Sequence, residues 1–270
     1  MGNLYVSDLD GTLLRSDETL SKFTVDTINE LTSNGMLFSY ATARSLVTAK
    51  KVTKGLTTRF PLIVYNGAFI MDHVTEEILL ANYFGDDISE VFESLFENDI
   101  YPIVYAYIDG VEKFSLIPEK CTIGMQKFIQ SRNGDQRMNI VRQPVELTKG
   151  NTFYITCIDK PEKLEPFYIK YRDRYHAVYQ RDIYTGEQWL EIMPKAASKA
   201  NAIKELQKML KCEKLITFGD GKNDIDMFEI SDESYAVENA DEELKAVATA
   251  VIESNNHDGV AKWLRGHVSF

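Results

Sequence analysis

The fold is decided by residues 4–12, which read Leu-Tyr-Val-Ser-Asp-Leu-Asp-Gly-Thr. The apolar residues at the start of this stretch predict a short buried strand, and two carboxylates, Asp8 and Asp10, follow it directly. In open sheets of parallel strands, ligands bind beyond the carboxyl ends of the strands. Asp8 and Asp10 are therefore the first candidates for a functional site.

Strands and helices alternate on both sides of the chain's middle. After the first strand, the pattern predicts a helix from about Ser21 to a stop at Gly35, a strand over 36–41, a helix over 44–54 and a strand over 62–65. The same rhythm returns with a helix through 202–210, strands over 214–218 and 235–237, and a last helix over 242–250. This alternation is typical of a Rossmann-like α/β core with a parallel sheet.

Residues 84–189 have a different texture. They are rich in aromatic residues and contain turn pairs such as Asp109-Gly110 between strand candidates at 103–108 and 152–158. We expect an α+β domain here, inserted between the two parts of the core at 1–83 and 190–270.

Polar side chains follow three of the predicted core strands. Thr42 follows the second strand, and Asp220 follows the strand over 214–218. With Asp8 and Asp10, three carboxylates would converge on one edge of the sheet, where they repel one another unless a cation binds or one of them takes a proton. Hard oxygen ligands suit Mg²⁺, and a carboxylate can also accept a phosphoryl group. Lys199 would supply a fixed positive charge and Thr42 a hydroxyl donor.

Competing motifs do not fit these segments. Neither acidic segment has the ligand spacing of a calcium loop, and Gly221-Lys222 is followed by Asn223 where a P-loop needs serine or threonine. The glycines at 219 and 221 lack the third glycine of a dinucleotide-binding loop.

Four segments together resemble the signature motifs of the haloacid dehalogenase (HAD) superfamily, in its Cof-type phosphatase branch. They are Asp8 to Thr12, Ala41-Thr42-Ala43-Arg44, Lys199 within 194–199, and Gly219 to Asp224. Residues 236–240 and 258–261 are also similar to this branch. Ala43 stands where the second motif commonly has glycine. Over the middle of the chain, the resemblance extends only to size and position.

The resemblance implies a role for each matching residue. Asp8 would be the nucleophile and a Mg²⁺ ligand, and Asp10 the general acid and base, with its backbone carbonyl on the metal. Asp220 would ligate Mg²⁺ and Asp224 would support the coordination shell. Phosphoryl oxygens would be held by Thr42, Ala43, Lys199, Asn223 and the amide groups of Leu9 and Asp10. For Arg44, a contact with the substrate and a salt bridge at the helix start are equally open.

The resemblance leaves three functions open. The first is a phosphatase acting on a small phosphorylated metabolite such as a sugar phosphate, flavin mononucleotide or pyridoxal phosphate. The second is a phosphomutase, and the third is a non-catalytic ligand-binding protein of the same fold. The inserted domain would act as a cap that controls specificity.

Composition narrows the class of partner. The chain has 270 residues and a net charge of −11, which argues against sequence-independent binding to nucleic acid and against binding to an anionic membrane surface. Its three cysteines form no CxxC pair, which favours the reducing cytoplasm. We expect a cytoplasmic protein that is a monomer or a weak homo-oligomer.

Overall fold

The computed structural model describes residues 2–57, 60–181 and 186–268. The chain divides into two compact units, Met1–Ala81 with Ala197–Phe270, and Asn82–Ala196. The second unit is continuous in sequence, interrupts the first, and contains the range 84–189. That it selects the substrate stays a prediction. Among the helices of the described residues, none combines the length and the apolar composition that crossing a membrane requires.

A five-stranded parallel sheet organises the first unit. Its strands are β1 (Asn3–Ser7), β2 (Leu37–Tyr40), β12 (Lys214–Gly219), β13 (Glu233–Val237) and β14 (Ala250–Ile252). Their order is β14-β13-β12-β1-β2, and all four pairings are parallel. The central strands are buried on both faces, as Leu4, Val6, Phe38 and Phe218 show, and near-continuous apolar runs are typical of such strands.

Helices fill the connections of this sheet. They are α1 (Lys22–Ser33), α2 (Leu46–Val52), α6 (Lys199–Leu210), α7 (Ile225–Glu229), α8 (Glu242–Val247) and α9 (Gly259–His267). Side-chain caps begin several of them: Ser21, Ser45 and Ser198 each accept a hydrogen bond from the backbone N–H three residues later. The helix start predicted near Ser21 is therefore confirmed.

Three expectations for the first unit are wrong. The strand over 62–65 is present as β3 (Leu62–Val64), but it belongs to a separate antiparallel sheet with β4 (Phe69–Met71) and β5 (Ile78–Ala81). One parallel bridge, between Ala41 and Ile63, joins β3 to the end of β2. The helix expected over 242–250 ends at Val247, and its last residue begins β14, which pairs with β13. The third error is that this helix was expected to be the last element, whereas α9 follows it in the chain.

The second unit is an α+β fold with its own core. Its strands are β6 (Ile103–Ile108), β7 (Val111–Leu116), β8 (Met138–Ile140), β9 (Asn151–Ile158), β10 (His176–Arg181) and β11 (Gln188–Met193). They form one sheet in the order β10-β11-β9-β6-β7-β8. The helices are α3 (Ile88–Glu97), α4 (Ile123–Gln130) and α5 (Pro161–Tyr171). Apolar residues of α3 and α5, such as Phe92 and Leu164, pack with sheet residues such as Ile155 and Leu190.

Candidate active site

The register of the parallel sheet brings three strand ends to one level. Ser7, the last residue of β1, pairs with Tyr40 of β2 and with Phe218 of β12. The pairing continues one step further, since the Asp8 N–H donates to the Phe218 carbonyl at 2.9 Å. The segments that carry Asp8, Thr42 and Asp220 therefore leave the sheet side by side, as the strand pattern predicts.

Lys199 lies between two buried carboxylates. Its Nζ donates to Asp8 Oδ1 at 2.8 Å and to Asp224 Oδ1 at 2.6 Å. Lys199 and Asp8 are 1% and 6% exposed. Because Lys199 is the first residue of α6, directly after its cap Ser198, the start of this helix fixes where the ammonium group enters the site.

The enclosure of these charges shifts their pKa values. Burial raises the pKa of Asp8 well above its usual value, against the opposing charge of Lys199, and the neighbouring carboxylates raise it further. Burial alone would lower the pKa of Lys199, but the charges and hydrogen bonds of Asp224 and Asp8 outweigh it, and the pKa is raised. Lys199 therefore stays charged, and Asp8 is a carboxylate whose ionisation depends on nearby positive charge.

Asp220 is held by the loop that follows Asp8. Thr12 Oγ1 donates to Asp220 Oδ1 at 2.9 Å. Gly11 lies so close that a Cβ at its position would be 2.2 Å from Asp220 Oδ2, and its φ is +76°. Burial and the charge of Asp224 raise the pKa of Asp220 to about 7.

These carboxylates fit a divalent cation. One carboxylate oxygen from each of Asp8, Asp220 and Asp224 lies within 4.8 Å of the others. Lys199 donates hydrogen bonds to two of these three carboxylates, Asp8 and Asp224, so the group holds more carboxylates than the one ammonium can neutralise. The Asp224 carboxylate also accepts from Lys199 and, through Oδ2, from the Asp220 and Gly221 N–H groups at 3.0 and 3.1 Å. Both oxygens of Asp224 thus accept hydrogen bonds from groups of the chain itself.

Asp10 is engaged by an arginine. Arg44 Nε donates to Asp10 Oδ2 at 2.8 Å and Arg44 Nη2 to Asp10 Oδ1 at 2.6 Å. The same Nη2 reaches Glu18 Oε2 at 2.7 Å. Burial works against the charge of Arg44, but the two carboxylates outweigh it and raise its pKa. Of the two roles left open for Arg44, the structure shows a salt bridge, and its partner is Asp10.

The remaining sequence-predicted residues lie around the same strand ends. Thr42 is fully buried, and its Oγ1 accepts from the Arg44 N–H at 3.1 Å, an arrangement that leaves the hydroxyl hydrogen available to a ligand. Leu9 is buried, and Ala43 is half-buried beside Thr42. Asn223 is half-buried in the turn Lys222–Asp224 after β12. The structure thus places every candidate site residue of the four motifs in the first unit, while residues 194–196, which precede Lys199 in the third motif, belong to the second unit.

Three residues of this neighbourhood were not assigned a role from the sequence. Thr12 belongs to the first motif, but the motif does not indicate its hydrogen bond to Asp220. Glu18 carried no signal, because its contact with Arg44 depends on how the loop after Asp10 turns back. Asn239, whose Nδ2 donates to the Gly11 carbonyl at 2.8 Å, lay in a segment recognised only by resemblance.

Known proteins are similar to this chain in sequence and in fold. The family model described as haloacid dehalogenase-like hydrolase matches residues 5–264. A Haemophilus influenzae protein named "Putative phosphatase" is 28% identical over 263 residues, which cover 94% of each chain. The Bacillus subtilis 5-amino-6-(5-phospho-D-ribitylamino)uracil phosphatase YitU is 24% identical over 98% of this chain and 97% of its own. The crystal structure of TM0651 from Thermotoga maritima is 28% identical, has a TM-score of 0.78, and is matched over 100% of this chain and 99% of the other.

The chain therefore belongs to the haloacid dehalogenase-like hydrolase family. The match covers both parts of the discontinuous first unit as well as the second unit. The protein is a hydrolase, and the resemblance drawn from the four motifs is confirmed.

Proposed function

We propose that the protein is a Mg²⁺-dependent phosphatase that hydrolyses a small phosphorylated metabolite through an aspartyl phosphate on Asp8. The observation that carries this proposal is the buried Asp8 carboxylate at the end of β1, hydrogen-bonded to Lys199. Lys199 and a bound divalent cation would both oppose the effect of burial and favour the ionised form of Asp8, and an ionised carboxylate is a nucleophile.

In the first half of the reaction, an oxygen of Asp8 attacks phosphorus. The bond between phosphorus and the substrate's ester oxygen breaks, its electron pair goes to that oxygen, and Asp10 gives the oxygen a proton. The dephosphorylated alcohol leaves, and the phosphoryl group remains on Asp8. Asp10, two residues after Asp8 on the same loop, suits this task.

In the second half, water replaces the alcohol. The Asp10 carboxylate takes a proton from the water, and the water oxygen attacks phosphorus. The bond between phosphorus and the Asp8 oxygen breaks, so that inorganic phosphate leaves and the Asp8 carboxylate is restored. Water supplies the oxygen and the proton, and no other reactant is needed.

Donors around Asp8 would bind the phosphoryl oxygens. Lys199 provides a fixed positive charge, and Thr42, which follows β2, provides a hydroxyl. The backbone amides of Leu9 and Asp10, together with Ala43 and the side chain of Asn223, would complete the set. Oriented donors of this kind stabilise charge that develops in the transition state, because they need no rearrangement at the moment of reaction.

Mg²⁺ would be held by Asp8 and Asp220, with the Asp10 carbonyl as a further ligand and Asp224 supporting the shell. When bound, it would supply positive charge beside the transferring phosphoryl group. The excess of buried carboxylates over ammonium groups in the site supports this role.

Phosphorylated metabolites are the substrate class, and we rank sugar phosphates first, with flavin mononucleotide and pyridoxal phosphate as further candidates. The name of the YitU relative describes a phosphorylated ribitylamino compound, which supports a small polyhydroxylated substrate. We propose that the second unit, Asn82–Ala196, acts as the cap that selects among such molecules.

The test is a phosphate-release screen over a panel of phosphorylated metabolites and p-nitrophenyl phosphate, with the wild type and Asp8→Asn. We expect the wild type to release inorganic phosphate and Asp8→Asn to release none, with an unchanged circular dichroism spectrum. Full activity in Asp8→Asn would exclude Asp8 as the nucleophile. Formation of an isomeric phosphorylated product without phosphate release would favour the phosphomutase.

Chelation tests the metal. We expect EDTA to abolish phosphate release and added Mg²⁺ to restore it. Turnover that persists in EDTA after dialysis would contradict the assignment of a Mg²⁺ site to Asp8 and Asp220.

A further inference from the structure

Arg44 is bonded to Asp10 in a way that fixes the direction of the Asp10 carboxyl group. Two donors of the guanidinium reach both carboxylate oxygens, with Nε to Oδ2 at 2.8 Å and Nη2 to Oδ1 at 2.6 Å. Nε is also 3.1 Å from Oδ1. A planar, two-point pair of this kind specifies orientation as well as attraction, which a single ammonium group cannot do.

The backbone of Arg44 is itself held in place on both sides. Its N–H donates to Thr42 Oγ1 at 3.1 Å, and its carbonyl accepts from the Tyr65 N–H at 3.0 Å. The next residue, Ser45, is the N-terminal cap of α2. Arg44 therefore projects from a corner between β2 and α2 whose backbone is held by hydrogen bonds on both sides.

Glu18 holds the guanidinium from a second direction. Its Oε2 accepts from Arg44 Nη2 at 2.7 Å, and its backbone has a φ of +60°, a left-handed conformation that disfavours residues with a Cβ. The turn that carries Glu18 is closed by hydrogen bonds between Arg15 and Thr19 and between Glu18 and Arg15, both 2.9 Å. Two carboxylates on one guanidinium leave it little freedom to rotate.

We propose that Arg44, held by Glu18, is a positioning residue that aims the Asp10 carboxyl at the ester oxygen of the substrate. The proposal rests on the proposed function, in which Asp10 gives a proton to that oxygen as the bond to phosphorus breaks. In this step one oxygen of Asp10 carries the proton and the other keeps its hydrogen bond to Arg44. Proton transfer requires the acid within hydrogen-bond reach of the reacting atom, so a misdirected Asp10 carboxyl slows protonation of the ester oxygen and leaves the attack by Asp8 in place.

The test compares two aryl phosphates of nearly the same shape. p-Nitrophenyl phosphate has a leaving group that is stable as an anion, whereas the phenolate of phenyl phosphate is much more basic and needs the proton. The quantity measured is kcat/KM, which reports the steps up to phosphoryl transfer onto Asp8. We expect Arg44→Gln to lower kcat/KM about 100-fold for phenyl phosphate and less than about 5-fold for p-nitrophenyl phosphate.

A double-mutant cycle identifies the residue through which Arg44 acts. If Arg44 works through Asp10, the Asp10→Asn, Arg44→Gln double variant hydrolyses phenyl phosphate as fast as Asp10→Asn alone. Glu18→Gln is expected to show the same leaving-group selectivity with a smaller loss. The control is Lys50→Gln in α2, which removes a charge paired with Glu76 at the surface and is expected to alter neither substrate's kcat/KM.

Equal losses on both substrates in Arg44→Gln, or a further loss in the Asp10→Asn background, would overturn the positioning role. If Arg44→Gln does not fold, as judged by its thermal unfolding, Arg44→Lys carries the same test, because lysine keeps the charge without the two-point pair. A wild type that releases no phosphate from either compound would overturn the proposed function itself. The failure of the proposed function is thereby distinguished from a failure of the positioning role alone, in which the wild type is active.

Discussion

At the scale of single residues, the site depends on side chains and backbone groups that lie in direct contact around the buried carboxylates. Gly11 is the clearest case, because its φ of +76° and the carboxylate of Asp220 2.2 Å from a would-be Cβ both require glycine. Lys199 is the second case, since two buried carboxylates share its one positive charge. Substitution of Gly11 and of Lys199 can each be compared with substitution of a similar residue that lies away from the site.

For Gly11→Ala, we expect loss of phosphatase activity together with weaker Mg²⁺ binding, because the new methyl group must displace Asp220. Gly110→Ala is the matched control: its φ is +78°, and a Cβ there meets nothing within 4 Å. Both variants should lose about 1 kcal/mol of unfolding free energy from the left-handed backbone. Phosphate release and Mg²⁺ titration distinguish them, and equal activities would contradict the steric reason.

For Lys199→Met, we expect the free energy of unfolding in EDTA to fall by about 3–5 kcal/mol, because a buried ion pair loses its cation. Activity should also be lost. Lys208→Met on the same helix breaks an exposed pair with Glu205, and its urea unfolding curve should match the wild type within error. A loss of less than about 1 kcal/mol at Lys199 would contradict the buried ion pair.

At the scale of elements, helix starts and strand ends set the positions of the groups that we propose to be catalytic. The start of α6 places Lys199, the end of β1 places Asp8, and the corner between β2 and α2 places Arg44. A helix start is only as well defined as its cap. Ser198 caps α6 by accepting the Asn201 N–H at 3.1 Å.

For Ser198→Ala, we expect a loss of about 1 kcal/mol in unfolding free energy, which is typical for a removed cap. We also expect a several-fold decrease in kcat, because Lys199 is the first residue of the helix. Ser21→Ala removes the equivalent cap of α1, where Ser21 accepts from the Thr24 N–H at 2.9 Å. Its stability should fall by a similar amount with kcat unchanged, and a parallel fall in kcat would show that the cap acts only through stability.

At the scale of the whole molecule, the buried carboxylates link stability to pH and to metal. The pKa of Asp220 is raised to about 7 and that of Asp8 is raised as well, from the ordinary value of 3.8 that each has in an unfolded chain. A raised carboxyl pKa stabilises the folded state fully below the unfolded value, and this stabilisation is lost as pH rises through the folded value. The metal-free protein should therefore lose stability between about pH 4 and pH 7.

Mg²⁺ should reverse this trend, because it binds the ionised carboxylates and has no matching site in the unfolded chain. We expect the increase in Tm caused by Mg²⁺ to be larger at pH 8 than at pH 6. Thermal unfolding with and without Mg²⁺ measures it, and Asp220→Asn should reduce the pH dependence. A Mg²⁺ effect that is the same at both pH values would contradict the raised pKa of Asp220.

The sequence predicted most core elements, because their signals are local. Apolar runs, cap residues and glycine stops located β1, α1, β2 and β12, and parallel pairing then implied that Asp8, Thr42 and Asp220 meet. The errors at β3 and β14 have the opposite cause. Whether a short apolar segment joins one sheet or another, or forms a strand at all, depends on hydrogen bonds to residues far away in the chain.

The sequence by itself determined the family and predicted which carboxylates lie together at the strand ends, because the order Asp, Thr and Asp after these strands is a property of residue type and position in the chain. The tertiary structure alone decided how these groups are charged and aimed. Lys199 and Asp8 are 191 residues apart, and Thr12 and Asp220 are 208 apart. Arg44 reaches Asp10 only because β1 and β2 pair side by side. The pKa of a carboxyl group and its orientation depend on burial and on distances to other groups, and both of these exist only in the folded chain.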